Sequence, residues 1–169
     1  MTVHPNPRNL VRQMLPKKAQ PKRPNPAVVR EVVGAIRCGE MTVAQGARHA
    51  GCNPDSLADR VWKETKRDVF ARDLSCILCG SVVQLDAHHR RRRGAGGSSD
   101  PLISFGMANL VTLCRTHHNQ VEQNPNLSRA KGLRLDEGDV PSASKVWRRG
   151  RWVLLDNAGG VTPIEGGAT

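Results

Sequence analysis

The sequence predicts a small α+β fold. Three observations carry that reading. Apolar residues recur at helical spacing between positions 27 and 66, and short β-like segments separated by turn residues appear near the C-terminus. Between these regions, two Cys/His pairs about 35 residues apart bracket a stretch rich in histidine and arginine. A chain of 169 residues suits one compact domain, with room for a small satellite. Large core side chains are scarce: the only aromatics are Trp62, Phe70, Phe105, Trp147 and Trp152. A core that thin calls for covalent or metal support.

Charge and hydropathy narrow the function classes. The formal net charge is +11, from 26 Lys+Arg against 15 Asp+Glu. Such a surface attracts polyanions, of which nucleic acid is the commonest. No apolar run approaches the ~18 residues of a membrane-spanning helix, which excludes an integral membrane protein of that kind. The N-terminus has no apolar segment of the kind a secretory signal needs, so a cytoplasmic location is expected. Five cysteines, an odd number, in a chain without such a signal argue against a disulfide framework.

Residues 1–26 contain six of the eleven prolines, and no acidic residue precedes Glu31. This basic segment cannot bury enough surface to offset its ordering entropy and is expected to be disordered. Residues 27–66 read as helical. Val28, Val29, Val32, Val33 and Ile36 mark one helix with Gly39 at its end, and Thr42 suits the cap of a second. Pro54 suits the first turn of a third helix, after a break at Gly51-Cys52-Asn53. Cys38 and Cys52 are expected to be small buried residues of this helical segment.

Two helices joined by a Gly-containing turn of about three residues describe a helix-turn-helix. On Ala47, Gly51 and Leu57, this segment resembles the helix-turn-helix of transposase- and resolvase-like DNA-binding domains. The resemblance implies that Asp55, Ser56, Asp59, Arg60 and Lys63 lie on or near the groove-facing side of the second helix of the motif. An ordinary helical hairpin fits the same residues.

The chemistry is concentrated in residues 67–130. Cys76-Ile-Leu-Cys79 and Cys114-Arg-Thr-His117 form a CxxC and a CxxH pair. Two residues between ligands allow a tight knuckle to aim both side chains at one ion. Four such ligands complete a tetrahedral Zn²⁺ site with no open position, which makes the zinc structural. Between the knuckles come the adjacent His88 and His89, the run Arg90, Arg91, Arg92 and Arg93, a Gly-rich loop, and Asn109 before the apolar run LVTLC. His118 follows His117 directly.

This ordered set resembles the HNH endonuclease family in its zinc-knuckle form, over roughly residues 69–124. The Gly-rich stretch is similar to HNH proteins of actinobacterial phages. His117 stands where the family's second knuckle has a second Cys, so His117 and His118 are open to exchanging roles. The resemblance implies the ββα-metal fold, a β-hairpin and a helix clasping one divalent ion. It further implies that His88 and His118 are metal ligands, with Glu122 one turn beyond His118 as a further ligand. His89 becomes the general base that deprotonates the attacking water, and Asn109 ties the loop that keeps it oriented. Because neighbours on a strand point to opposite faces, His88 and His89 are expected to do different jobs from different sides. Arg90 to Arg93 are expected to bind phosphates. Mg²⁺, Mn²⁺, Ni²⁺ and Zn²⁺ all suit the catalytic position.

Residues 131–169 read as a β-like extension. GLRL and KVWRRGRWVLLDNAGGVTPI are expected to contain short strands, with turns at Gly150 and Asn157/Gly159–Gly160. The whole chain therefore reads as a metal-dependent DNA endonuclease acting on double-stranded DNA. A homodimer, and terminase or other phage packaging proteins as partners in the host cytoplasm, are compatible with it. The competing reading is a zinc-stabilised DNA-binding protein without catalysis.

Overall fold

A computed structural model describes residues 23–94 and 97–164. Residues 1–22, most of the expected disordered arm, lie outside it. Among the described residues, no helix is long and apolar enough to cross a membrane.

Three helices open the fold. In α1 (Pro26–Arg37), Asn25 caps the first turn and Val29, Val32, Val33 and Ile36 are buried, as their spacing predicts. The helix closes at Cys38, and Gly39 takes the left-handed conformation (φ +81°) that reverses the chain. In α2 (Val43–Ala50), Thr42 and Gln45 form a reciprocal capping box, with Gln45 Oε1 accepting from the Thr42 N–H at 2.7 Å. Gly46 faces Val32 so closely that a Cβ would collide with it. Asn53 caps α3 (Pro54–Asp73), its side chain accepting from the N–H groups of Asp55 and Ser56. Leu57 and Val61 of α3, with Phe105, close an apolar cluster over α1 and α2.

Helix α3 crosses the boundary expected at residues 66/67. It runs unbroken for 20 residues, and Val69 packs with Met107 and Leu110 in the following region. Cys38 and Cys52 depart from expectation too: Cys38 is exposed and Cys52 only half-buried.

Strands β1 (Leu85–His89) and β2 (Leu110–Cys114) pair antiparallel, with Leu85 opposite Cys114 and His89 opposite Leu110. Between them lie α4 (Pro101–Phe105) and a 3₁₀ turn (Met107–Asn109). Helix α5 (Arg115–Gln123) leaves β2 without an intervening loop, and the short α6 (Pro125–Ala130) follows. Strands β3 (Val146–Arg148), β4 (Arg151–Leu155) and β5 (Val161–Pro163) form an antiparallel meander. Its first hairpin turns on Arg149 and Gly150, both at positive φ. GLRL is not a strand; Leu135 alone bridges to Arg91.

The C-terminal sheet is no separate extension. Leu133, Val146, Val153 and Leu155 share one core with Cys76, Ile77, Val111, Leu113 and Val121. Beside it, the fully buried Asp73 binds Arg72 through both oxygens and accepts the Thr112 N–H at 2.9 Å. Arg72 also reaches the carbonyls of Met107 and Leu110, which locks the end of α3 onto β2.

Arg90 overturns an expectation outright. It is 0% exposed, so it does not bind phosphate. Its guanidinium donates to five backbone carbonyls: Gly132 at 2.7 Å, Ala108 at 3.0 Å, Pro141 at 3.1 Å, Ser144 at 2.7 Å and Lys145 at 3.0 Å. Burial pushes its pKa down to about 10, which leaves it charged at neutral pH. Arg90→Ala is expected to destabilise the protein by roughly 3 kcal/mol or more, because several buried carbonyls lose their donor at once. Arg91→Ala, at a half-buried neighbour, should cost under about 1 kcal/mol. Denaturant titration of both variants checks this, and equal small losses would show the cradle to be dispensable.

Candidate metal centres and adjoining cavity

The β1–β2 hairpin carries a cluster of ligand atoms at each end. At one end, the loop after α3 supplies Cys76 and Cys79, and the β2–α5 junction supplies Cys114 and His117. The loop is held by its own backbone, with Gly80 N–H donating to Cys76 O, and by Ile77 N–H donating to Thr112 O in β2. Backbone N–H groups of Cys114, Cys79 and Leu78 outweigh burial and lower the Cys76 thiol pKa, which favours a metal-binding thiolate.

The separations fit one tetrahedral ion. Zn–S bonds near ~2.3 Å and Zn–N bonds near ~2.0–2.1 Å place ligands about 3.8 Å apart for S–S and about 3.5 Å for S–N. Cys79 and Cys114 sulfurs lie 3.9 Å apart, and His117 Nδ1 lies 3.6 Å from Cys76 Sγ and 3.2 Å from Cys114 Sγ. The Cys₃His cluster is thus compatible with a structural metal such as zinc. It also separates the two neighbouring histidines. His117 joins the thiols, whereas His118, about 100° further round α5, joins His88 and Glu122.

At the other end, ligand atoms of His88, His118 and Glu122 lie within 4.8 Å of one another. His88 is buried, and its Nε2 lies 2.9 Å from the Leu133 carbonyl. A carbonyl can only accept, so Nε2 carries the proton and Nδ1, 3.9 Å from Glu122 Oε1, keeps the lone pair. Arg92 pairs with Glu122 at the rim.

His89 borders the same cavity, together with His88, Arg92, Arg93, His118 and Glu122. The two histidines of β1 border this one cavity from different anchors, His88 on the Leu133 carbonyl and His89 on Ser104 and Trp62. Two contacts fix the His89 ring. Nε2 donates to the Ser104 carbonyl at 3.1 Å, which leaves Nδ1 as the proton acceptor. Trp62 of α3 stacks on the ring at 5.4 Å and 11° between planes. Asn109 stays outside the cavity and fully buried. It donates to the carbonyls of Ile103 and Arg91 and accepts the Arg91 N–H, so it secures the segment that presents Ser104.

Sequence spacing had no means of selecting Trp62, nor the carbonyls of Ser104 and Leu133, since each comes from a distant segment. Arg60 and Lys63 lie on the outer face of α3, in ion pairs with Glu64 (3.0 Å) and Asp59 (2.7 Å). The guanidinium of Arg93 sits 5.7 Å from the Trp62 ring centre. The chain matches no protein-family model, no curated protein and no solved structure.

Metal analysis of the purified protein should find a tightly held ion that Cys114→Ser removes and His118→Ala retains. Loss of that ion in His118→Ala would break the division of labour between His117 and His118.

Burial depresses both His88 and His89, His89 to about 4, against an ordinary value near 6.5. The folded state therefore binds fewer protons than the unfolded chain between those values. The stabilisation is complete above about 6.5 and is lost as pH falls toward 4. Thermal midpoints should drop on acidification from pH 7 to 5, and less steeply in His89→Gln. Identical slopes would overturn this assignment.

Proposed function

We propose that the protein is a metal-dependent endonuclease of HNH type that hydrolyses phosphodiester bonds in double-stranded DNA. One observation carries this reading: a His/His/Glu ligand set and a separately anchored, uncharged histidine border the same arginine-lined cavity. The order strand, strand, helix supplies the frame, with His88 and His89 on β1 and His118 and Glu122 on α5. Zinc is the proposed occupant of the Cys₃His cluster, where it would be structural.

His88 and His118, with Glu122, would hold a divalent ion, and this mixed nitrogen and oxygen set suits Mg²⁺, Mn²⁺, Ni²⁺ or Zn²⁺. When bound, the ion supplies positive charge beside the scissile phosphate and the departing 3′ oxygen. His89 Nδ1 takes a proton from water, and the water oxygen attacks phosphorus as the P–O3′ bond breaks. Ser104 fixes the direction of the lone pair, and Trp62 fixes the ring plane. With only one ion, further neutralisation falls to arginines. Arg92 and Arg93 border the cavity and Arg91 lies beside it, whereas Arg90 is withdrawn into the core. On this reading, Arg60 and Lys63 on the exposed face of α3 exchange their carboxylate partners for phosphates.

Supercoiled plasmid should be cut in the presence of Mg²⁺, Mn²⁺ or Ni²⁺. His89→Ala and His118→Ala, each with the Cys₃His metal retained, should lose about 10²–10⁴-fold in rate. Cutting that survives His89→Ala would refute the assignment of the base. Plasmid binding with no cutting under any metal would favour the non-catalytic DNA-binding alternative.

A further inference from the structure

A second cavity of about 420 Å³ adjoins the first, and Arg92 and Arg93 line both. Arg91 completes the wall that follows β1. The opposite wall comes from the end of α6 and the loop after it, through Arg129 and Arg134. Five arginines from two distant stretches of chain thus face one space. We propose that this groove is a binding site for the phosphodiester backbone of the DNA strand flanking the scissile bond. Arg129 and Arg134 are its outer contacts.

The charges explain why the occupant is an anion. Three carboxylates also line the groove, Asp100, Asp136 and Glu137. Asp136 is engaged with Arg129 at 3.1 Å, and Arg91 reaches the Asp139 carbonyl at 3.3 Å, contacts that orient these arginines. Arg91, Arg93 and Arg134 have no carboxylate within ion-pair distance among the described residues. Uncompensated guanidinium groups gathered in a concave surface raise the local potential, and their planar donor forks match phosphate oxygens. Continuity with the histidine cavity makes the anion a chain of phosphates, since one strand can then pass along both.

The proposal rests on the nuclease reading, and its test keeps the two apart. Affinity of the full-length protein for a fluorescent DNA duplex is measured against salt concentration, and wild-type plasmid cleavage is assayed in parallel. Arg129→Ala and Arg134→Ala should each weaken binding about fivefold and flatten the slope of log affinity against log salt by about 0.9. Arg134→Lys should restore most of the slope, which separates lost charge from lost folding. Arg30→Ala, which removes one exposed charge from α1, should leave the slope near wild type. If both groove variants keep wild-type affinity and slope while the wild type cuts DNA, the groove is no phosphate site and the nuclease reading stands. If Arg30→Ala has the same effect as they do, diffuse net charge explains the binding and the groove proposal falls. If the slope flattens only in the groove variants but no metal supports cutting, the groove stands and the nuclease reading falls.

Discussion

A single buried arginine ties the β1–β2 hairpin to the segment between residues 132 and 145. Arg90 has no carboxylate partner, and its compensation comes from backbone dipoles. An isolated charge in a protein interior is tolerated only when its donors are satisfied. The guanidinium offers five donors in a rigid fork, and five carbonyls meet them; an ammonium has three. Those carbonyls belong to the 3₁₀ turn before β2 and to the segment of residues 132–145. The main chain of Arg90 is engaged as well, its N–H donating to Asn109 and its carbonyl accepting from Leu135. The strand therefore ends at a fixed point one residue beyond His89. At Gly132 (φ +66°) an added Cβ would strike the Lys145 carbonyl, so this side of the cradle requires glycine.

From that anchor, the register of one hairpin positions both metal clusters. Pairing His89 with Leu110 and Leu85 with Cys114 puts the histidines at one end and the knuckle cysteine at the other. Helix α5 begins at the residue after Cys114, and its rotation does the rest. His117 lies within reach of the thiols, while His118 and Glu122, four residues apart on one face, turn toward β1. A one-residue slip between β1 and β2 would move the β1 side chains to the other face and dismantle the cluster of His88, His118 and Glu122. A metal in the Cys₃His cluster would pin this register from the far end, a useful constraint in a protein with few large core side chains.

Much of this was legible in the sequence where local chemistry is demanding. Ligand pairs with two residues between them announced the Cys₃His cluster. Thr42, Pro54 and the turn at Gly150 announced their elements because caps, first turns and tight turns accept few residue types. What escaped was whatever depends on long-range register. Four consecutive arginines look equivalent, yet pairing and the bend after His89 send the first into the core and leave the others beside the cavities. Cys38 and Cys52 resemble buried helical cysteines, but helix ends place them at or near the surface. The apparent boundary at residue 66 marked a change in composition. Helix α3 crosses it because Val61, Thr65, Val69 and Asp73 continue one buried stripe across two clusters.

The continuity of α3 bears on how recognition and chemistry could be joined. Its exposed face near the N-terminus carries Arg60 and Lys63, and Trp62, between them in sequence, packs against both the helical core and the Val69 cluster. The same indole stacks on His89 and lies beneath Arg93. On the proposed reading, a helix that contacts the duplex reaches the general base through one side chain, with no hinge between. Displacement of α3 would shift the plane of the His89 ring even if the Ser104 contact held. A base misplaced by about 1 Å can lose about 10²-fold in rate. On that reading DNA would be seated on α3 without moving it, which favours binding by a preformed surface over a conformational closure.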